Sequence, residues 1–265
     1  MPAWPVLVAQ TVEENAGSKP GALGIVYDNS SSPAARAEAE RAGWRYAHDP
    51  RNGGTAAAYA FAASVALERG HRWLLVLDHD TAIPPSYAGM VEAATRAASD
   101  DTVGAFVPSV VVQGGKPLSP ARVTRTGSLR PLGTSGAAAP PSGRLTAVAS
   151  GTVFRVSALA SVLPYPQRLW LDYVDHWTFA RLHDLGHRLC ILPAVLVHDL
   201  SIASPKSLSR ARLESILEGE SIFVRALGRA ARFVHPLRLA SRVARYVLIR
   251  PVLAGWVLRW LFRKR

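Results

Sequence analysis

The chain has 265 residues, 49% of them apolar, which suffices for one large domain with a buried core plus an appendage and excludes two full enzymatic domains. Its single cysteine, Cys190, excludes an intramolecular disulfide and fits a reducing, cytoplasmic setting. The net charge of +12 lies almost wholly in residues 205–265, with 14 basic against 3 acidic side chains, which argues against nucleic-acid binding by the main domain.

Strand-like and helix-like runs alternate over the first two hundred residues, which predicts an α/β sheet with helices on both faces. The run Gly24 to Tyr27 is a short apolar strand that ends in the polar tip Asp28-Asn29-Ser30-Ser31. Residues 34–42 have a helical composition. Thr55 to Glu68 is predicted to be a helix packed on the sheet, and Trp73 to Leu77 a fully buried strand.

The second half continues the alternation with less regular patterns. Val103 to Val112 predicts another strand. Residues 113–143 are rich in Gly, Pro, Ser and Ala without a period, which predicts loops with room for one irregular hairpin. Leu145 to Val156 resumes strand character around Ser150-Gly151. A helix ending at Gly186 and a strand ending at His198 complete the predicted domain, residues 1–204.

Asp78 and Asp80 follow the buried strand directly, one residue apart, so in an extended backbone both carboxylates point to the same side. Such a pair can hold Mg²⁺ or Mn²⁺ together with substrate phosphates. The alternative is an aspartate pair in a surface turn before Pro84-Pro85. Two carboxylates at the end of a buried strand are costly without a cation, which favours the metal site.

Asp172 and Asp175 lie near the start of the later helix, where the helix dipole favours negative charge. We interpret Asp175 as a candidate general base and Asp172 as the more structural residue. The alternative is that one of them only caps the helix. His198 could complete the coordination of a metal through a neutral imidazole, or it could simply be the polar end of a strand.

Asn52, Gly53 and Gly54 precede the helix from Thr55, so their backbone amides could cradle a phosphate. The alternative is an ordinary Gly-Gly turn. The sequence has no Cys/His cluster with zinc spacing, no G-x-S-x-G motif and no Walker A loop, which argues against a zinc site, a hydrolase and a P-loop enzyme.

The tail, residues 205–265, is predicted to be helical. From Ser221 onward it carries 11 basic and no acidic side chains, interleaved with Trp, Phe, Tyr, Leu and Val. This composition predicts binding to an anionic membrane surface. The alternative is a helical pair packed on the core and charged only on its solvent face. No apolar run is long enough to span a bilayer and no secretory signal is recognisable, so we expect a cytoplasmic protein, peripheral at the inner face of the membrane.

Seven short motifs follow one another between about residue 5 and residue 200, and their order is more specific than any one of them. They are Leu7-Val8-Ala9-Gln10-Thr11-Val12, Val26-Tyr27-Asp28-Asn29-Ser30-Ser31, Asn52-Gly53-Gly54 through Ala60, Leu77-Asp78-His79-Asp80-Thr81, Ser150-Gly151, Leu171-Asp172-Tyr173-Val174-Asp175-His176 followed by Arg181 and Gly186, and Val197-His198. In this order they resemble the family-2 glycosyltransferases, in particular the rhamnosyltransferase-like branch.

The resemblance implies a GT-A fold, a Rossmann-like mixed sheet flanked by helices. It also implies inverting transfer of a sugar, such as rhamnose or another hexose, from a nucleotide-diphosphate donor to a glycan or lipid-linked acceptor in cell-surface polysaccharide synthesis. By this resemblance Asp28 would contact the nucleotide base or ribose, Asp78 the nucleotide sugar, and Asp80 a metal that bridges the diphosphate. Asp175 would be the base, and His198 would lie near the metal.

Two departures from the family pattern stand out. The family opens with a strand whose tip lines the nucleotide pocket, before the helix that the Gln10 motif resembles, so we expect this first β-strand to be missing here. Trp177 stands where many relatives carry an acidic residue. The missing strand motivates a second hypothesis, a catalytically impaired relative that acts as a membrane-associated binding or scaffold subunit. A nucleotidyltransferase would need a Gly-rich loop with Lys or Arg near the first strand, which the sequence lacks.

Overall fold

The protein is described by a computed structural model covering residues 7–12, 23–33, 35–78, 81–112, 114–133, 143–198 and 208–263. Its first elements are β1 (Leu7–Val12), β2 (Gly24–Asp28), α1 (Arg36–Arg41), β3 (Arg45–His48), α2 (Gly54–Glu68), β4 (Trp73–Asp78), α3 (Tyr87–Ala97) and β5 (Val103–Val112). There follow β6 (Pro117–Ser119), β7 (Ala121–Val123), β8 (Leu129–Pro131), β9 (Leu145–Thr146), β10 (Val153–Arg155), α4 (Val156–Ser161), α5 (Val174–Asp184) and β11 (Arg188–His198). The tail forms α6 (Arg210–Leu227), α7 (Arg229–Ile249) and α8 (Pro251–Arg263).

The main sheet has the strand order β11-β5-β10-β4-β1-β2-β3, and β6 pairs with β5. Strands β2, β3, β4, β5 and β11 run in one direction, whereas β1 and β10 run antiparallel to their neighbours. A smaller sheet has the order β8-β7-β9. This mixed sheet with flanking helices and a helical tail confirms the predicted fold class.

The interpretation of Leu7–Val12 as the end of a helix is wrong. Leu7–Val12, whose motif resembled the end of a helix, is β1, and it lies between β2 and β4. Leu7 is paired with Tyr27 on one side and with Asp78 on the other. The physical reason is that a gap at this position would leave the backbone groups of two buried strands unpaired, and an antiparallel strand satisfies them as well as a parallel one.

Several elements of the structure were not predicted from the sequence. β3 and α4 are short, with 4 and 6 residues, so their patterns do not stand out. α3 has 11 residues and buries one face with Tyr87, Val91 and Thr95, a helical pattern that the sequence analysis missed. Residues 145–156, predicted as one strand, form β9, a turn in which Gly151 has a φ of 81°, and β10. The described part of the predicted loop region 113–143 contains the three short strands β6, β7 and β8.

The core lies on both faces of the main sheet. Along β4, Leu74 and Val76 face the cluster formed with α2, α4 and α5, whereas Trp73 and Leu75 face the cluster formed with α3. This alternation of two buried faces explains why the strand is apolar throughout. Phe154 of β10 is fully buried and packs its ring on that of Phe179 of α5, with 5.5 Å between the ring centroids.

The tail helices pack on one another and on the main domain. Leu213, Leu217, Leu239, Leu253 and Val257 form a buried cluster among α6, α7 and α8. Within the described part of the chain, no helix is both long enough and apolar enough to cross a bilayer. The predicted boundary near residue 204 stays a prediction, but α6 lies against α5 of the main domain.

We predict that Phe154→Ala lowers the free energy of unfolding by about 3 to 5 kcal/mol, because it removes a fully buried ring from a packed core. The measurement is urea unfolding followed by circular dichroism. Leu67→Ala is the matched control, since Leu67 is 56% exposed on α2 and its loss should change stability by less than about 0.5 kcal/mol. Equal losses for the two variants would contradict the packing described here.

Candidate functional site

Polar residues meet where the parallel strands β2, β3 and β4 end. Asp28 ends β2, Asp49 follows β3, and Asp78 ends β4. The backbone N–H of Asp49 donates to the carbonyl of Asp28 at 2.8 Å, so these two ends are adjacent. β1 separates β2 from β4, which places Asp78 roughly 10 Å from the end of β2. Open α/β sheets bind ligands at this carboxyl edge.

Asp28, a predicted donor-binding residue, is fully buried. Its Oδ1 accepts hydrogen bonds from the backbone N–H (2.9 Å) and the hydroxyl of Ser30, and its Oδ2 accepts one from the Tyr46 hydroxyl at 2.8 Å. Burial raises the pKa of Asp28, but the hydrogen bonds from Ser30 and Tyr46 outweigh it and leave the pKa below its ordinary value. Asp28 therefore shapes the loop after β2, and its contact with a nucleotide stays a prediction.

Asp49 is a site residue that the sequence analysis missed. Its Oδ2 accepts from the Tyr27 hydroxyl at 2.8 Å and from the Gly53 N–H at 3.2 Å, while Oδ1 accepts from Arg51 Nε at 2.9 Å. Burial raises the pKa of Asp49, and the hydrogen bonds from Arg51 and Tyr27 bring it below its ordinary value. Asp49 follows the end of a strand, as Asp28 and Asp78 end theirs, and this position could have identified it. The pattern was not visible in the sequence because β3 has only 4 residues.

The backbone amides of the predicted phosphate cradle at residues 52–54 donate within the chain, and the binding of a phosphate there stays a prediction. The N–H of Asn52 donates to the Asp49 carbonyl at 3.0 Å, that of Gly53 to the Asp49 carboxylate, and that of Gly54 to Asn29 Oδ1 at 3.1 Å. All three amides are therefore used within the chain. The physical reason is that this turn must satisfy its own buried donors before it can serve a ligand.

Asn52 remains a candidate ligand through its side chain. It has a φ of 56°, a left-handed conformation that asparagine tolerates better than most residues. Its Oδ1 is buried and accepts no hydrogen bond from the described residues. A buried acceptor of this kind is costly unless a ligand or water donates to it. This buried oxygen could accept a hydrogen bond from an N–H or O–H group of a substrate bound at this edge.

The turn at residues 149–151 contacts two of the predicted site residues, Asp78 through its backbone and Asp175 through its carboxylate. The backbone N–H of Asp78 donates to Ser150 Oγ at 2.9 Å, and the N–H of Ala149 donates to Asp175 Oδ2 at 3.2 Å. Gly151 donates its N–H to the carbonyl of Val76 in β4 at 2.8 Å. This turn therefore ties the end of β4 to the first turn of α5.

Tyr59 of α2 lies near both Asp78 and Asp175. Its hydroxyl group is fully buried, and burial raises its pKa far above the ordinary value. The negative charges of Asp175 and Asp78 raise this pKa further. Both aspartates thus lie within electrostatic range of one phenol, although they are 97 positions apart in the sequence.

The segment before α5 is held by the tail. Asp172 Oδ1 forms an ion pair with Arg212 Nη2 of α6 at 2.9 Å. Burial raises the pKa of Asp172, and Arg212 offsets only part of that increase. A Cβ at Gly219 of α6 would overlap the carbonyl oxygen of Asp172, so only glycine permits this approach. The N-cap of α5 is Tyr173, with a φ of 66°, so the alternative in which an aspartate caps this helix is wrong.

The neighbouring histidine of Asp175 is structural. His176 is buried, which lowers its pKa, while the charge of Asp175 acts in the opposite direction. Its Nδ1 lies 2.8 Å from Thr146 Oγ1, and Phe223 of α6 packs its ring 5.8 Å from the imidazole centroid. These contacts fix the first turn of α5 and with it the backbone of Asp175.

The structure describes only part of the predicted metal site. Asp80 lies outside the described residues, and of His198 only the position at the end of β11 is described. β11 is parallel to β5, so His198 lies at the same carboxyl edge as Asp78. An isolated bridge joins Ala82 to Val197, which brings the chain that follows Asp80 beside His198. Among the side chains that are described, no group of three or more His, Cys, Asp or Glu could hold a metal.

Comparison with known proteins places this geometry in context. Residues 19–163 match the family "Glycosyl transferase family 2". No curated protein matches the chain. Among solved structures, the mannosyltransferase PcManGT from Pyrobaculum calidifontis, in complex with GDP-Man and Mn²⁺, is 17% identical, with a TM-score of 0.43 over 90% of this chain and 76% of that one. At this level of likeness, the ligands of that enzyme carry no argument for this chain.

We predict that Asp49→Asn lowers the free energy of unfolding by about 1 to 2 kcal/mol at pH 7, because it removes the charge that strengthens the hydrogen bonds from Tyr27, Arg51 and Gly53. Since folding lowers the pKa of Asp49, its stabilisation is present above the ordinary carboxyl pKa of about 4 and is lost as the pH falls through the folded pKa.

The measurement is urea unfolding of both proteins at several pH values between 7 and 3. The difference between wild type and variant should shrink below about pH 4. Glu68→Gln is the control, since Glu68 is exposed at the end of α2 and the loss of its charge should change little at any pH. A difference that stays constant down to pH 3 would contradict the role given to Asp49.

Proposed function

The chain belongs to glycosyl transferase family 2, and on that premise we propose that it transfers a sugar from a nucleotide-diphosphate donor to an acceptor hydroxyl, with inversion at the anomeric carbon. The observation that carries the proposal is the turn at residues 149–151, which holds Asp78 and Asp175 on one site. Family membership supports glycosyl transfer, and this pair of carboxylates supports the assignment of roles within it.

Asp175 is the proposed general base. It lies in the first turn of α5, where the helix dipole stabilises the carboxylate, and Ala149 N–H holds only its Oδ2. Oδ1 would accept the proton of the acceptor hydroxyl as its oxygen attacks the anomeric carbon. The bond from that carbon to the diphosphate breaks on the opposite face, and the nucleoside diphosphate leaves with the electron pair. A positioned base of this kind contributes about 10² to 10⁴ in rate.

The donor is proposed to bind along the edge from Asp28 to Asp78. Asn52 offers its orphaned Oδ1, and Asp78 would contact the nucleotide sugar. Gly53 has no free amide, so its role would be steric: a Cβ there would lie 2.7 Å from both Asp49 Oδ2 and the Cβ of Ala57. Asp28 acts through the loop that it orders. Rhamnose or another hexose is the proposed sugar, as the sequence resemblance implied.

Mg²⁺ or Mn²⁺ is the proposed cofactor, held by Asp80 with His198. The position of Asp80 two residues after β4, and the bridge between Ala82 and Val197, support a shared location for these ligands. Carboxylate and imidazole ligands suit Mn²⁺, and carboxylates with substrate phosphates suit Mg²⁺. When bound, the cation would neutralise the charge that develops on the diphosphate leaving group.

The second hypothesis, an impaired relative that acts as a binding or scaffold subunit, is favoured by one observation. β1 runs antiparallel to β2 and β4, so its amino end, at Leu7, lies beside the donor edge. The strand tip expected to line the nucleotide pocket is therefore not supplied by the carboxyl end of β1. A test of turnover separates the two hypotheses.

We predict that Asp175→Asn lowers kcat about 10² to 10⁴-fold with little change in the KM of the donor, because the amide cannot accept the proton but keeps the shape of the side chain. The measurement is release of nucleoside diphosphate from a panel of UDP-, GDP-, dTDP- and CDP-sugars with Mn²⁺. Asp184→Asn, in the last turn of the same helix, is the matched control and should retain the wild-type rate.

If Asp175→Asn turns over the donor at the wild-type rate, the assignment of Asp175 as the base is wrong. Absence of turnover by the wild type with every donor in the panel would support the scaffold hypothesis instead. Donor binding, measured separately by thermal shift, distinguishes a lost base from an unfolded site.

The acceptor is proposed to be a glycan or lipid-linked molecule at the inner face of the membrane, in polysaccharide synthesis. The surface of α7 and α8 supports this location. Phe233, Leu237, Leu248 and Phe262 are each 66% to 87% exposed, and the same helices carry a net positive charge without acidic residues. Apolar side chains among basic ones favour a surface of anionic lipid. The tail would thus associate peripherally with the bilayer.

We predict that the double variant Phe233→Ser, Leu248→Ser weakens binding to vesicles of phosphatidylglycerol and phosphatidylcholine by at least about tenfold, because two highly exposed apolar side chains no longer enter the lipid. Co-sedimentation measures the binding. Leu67→Ser is the matched control, since Leu67 is exposed on α2 outside the tail. Undiminished vesicle binding by the double variant would refute the tail surface as the membrane contact.

A further inference from the structure

A largely buried ion pair joins the tail to the segment that precedes the proposed base. Asp172 Oδ1 and Arg212 Nη2 lie 2.9 Å apart, and the two side chains are only 11% and 20% exposed. Charges removed this far from water are costly unless each compensates the other. Apolar side chains of similar size would join α6 to the segment at no greater cost, so cohesion alone does not account for the pair.

Arg212 is held at a defined place on α6. Its backbone N–H donates to Oγ of Ser209, the residue that caps the helix, at 3.2 Å. This cap orders the first turn of α6 and with it the position from which the guanidinium approaches Asp172. About two turns later, Gly219 of the same helix lies against the carbonyl of Asp172, where a Cβ would overlap the oxygen. α6 therefore contacts Asp172 at both its carboxylate and its backbone.

The residue that follows Asp172 has an unfavourable backbone conformation. Tyr173 has a φ of 66°, in the left-handed region, which a bulky residue adopts only when its surroundings hold it there. Its ring centroid lies 5.8 Å from that of Phe223 on α6 and 5.3 Å from that of His176. Tyr173 is the N-cap of α5, and Asp175 lies in the first turn. The left-handed turn at Tyr173 therefore sets the direction in which α5 begins.

The charge of Arg212 is what makes a carboxylate tolerable at this place. Burial raises the pKa of Asp172, the charge of Arg212 lowers it, and the negative charge of Asp175 raises it again. Without the guanidinium, the carboxylate would be buried close to a second negative charge. Asp172 would then move toward water, and the strained turn at Tyr173 would move with it.

We propose that Arg212 is a positioning residue for the transfer reaction: through Asp172 it holds the left-handed turn at Tyr173, and this turn holds Asp175 where it takes the proton of the acceptor hydroxyl. The inference rests on the proposed function and adds a residue of the tail to those on which the rate depends. Arg212 acts through Asp172 and not through contact with the donor or the acceptor. The tail thus contributes to the reaction itself, apart from the surface that α7 and α8 present to lipid.

Arg212→Met in the full chain tests this role, because methionine keeps an unbranched side chain but removes the charge. We expect kcat to fall about 10 to 10²-fold, since a displacement of the base by about 1 Å has an effect of this order. The KM of the donor should change less than about twofold, because the carboxyl edge of the sheet is not altered. The measurement is release of nucleoside diphosphate from UDP-, GDP-, dTDP- and CDP-sugars with Mn²⁺, at a temperature at which circular dichroism shows every variant to be folded.

Two further variants separate the charge of Arg212 from its bulk. Arg212→Lys keeps a positive charge and should recover most of the lost rate. The double variant Asp172→Asn, Arg212→Met leaves no unpaired charge in the segment, so its kcat should exceed that of Arg212→Met although both partners of the ion pair are gone. A contact that only adds stability would give the opposite order, with the double variant the slower of the two.

Arg210→Met and Arg155→Met are the matched controls. Arg210 lies in the same turn of α6, and its ion pair with Glu214 stays within that helix. Arg155 is a buried arginine of β10 that pairs with Asp101, and it lies opposite Trp73, at the amino end of β4 and therefore away from the carboxyl edge. We expect both variants to keep the wild-type kcat, and Arg155→Met to lose stability without losing rate.

A wild-type kcat in Arg212→Met, or a loss no larger than that in Arg155→Met, would overturn the inference and leave the proposed function intact. A loss that Arg212→Lys does not restore, or a double variant slower than Arg212→Met, would also overturn it, because the charge would then not be what matters. If the wild type turns over none of the donors, the proposed function fails and this inference fails with it, so the wild type alone distinguishes the two failures.

Discussion

The site depends on one turn, residues 149–151, which joins the end of β4 to the start of α5. Asp78 donates its N–H to Ser150, and Asp175 accepts from Ala149. Gly151 completes the turn with a φ of 81°, and a Cβ there would overlap Leu196 of β11, so glycine is required for both its conformation and its packing. The turn thus fixes the end of β4, at Asp78, relative to the first turn of α5, which carries Asp175, the proposed base.

The tail helices also hold the segment that precedes α5, in addition to forming part of the protein surface. α6 approaches the segment before α5 closely at Gly219 and neutralises Asp172 with Arg212, a contact that buries both charges. An ion pair in this position specifies one geometry for the segment, because either charge alone would be costly to bury. α6 therefore contacts both the segment that precedes Asp175 and the helices α7 and α8, whose surface is proposed to meet lipid.

The antiparallel β1 shows how a sheet can preserve its site when one strand differs in direction. Backbone pairing to β2 and β4 is complete over Leu7 to Gln10, so the spacing between Asp28 and Asp78 is that of an intact sheet. What changes is the chemistry at the edge, since β1 presents its amino end where its neighbours present carboxyl ends. An antiparallel strand satisfies the backbone hydrogen bonds of its neighbours as well as a parallel one does, so the sheet stays paired at this position.

The sequence by itself determined the elements whose signal is local: the apolar strands at β2, β4 and β5, the helix α2, and the aspartates at a strand end and a helix start. Only the tertiary structure decided the direction of β1, the role of Asp49, and the use of the amides at residues 52–54 within the chain. The physical reason is distance along the chain. Asp78 and Ser150 are 72 residues apart, and Asn29 and Gly54 are 25 apart, so no periodicity or local propensity records that they meet.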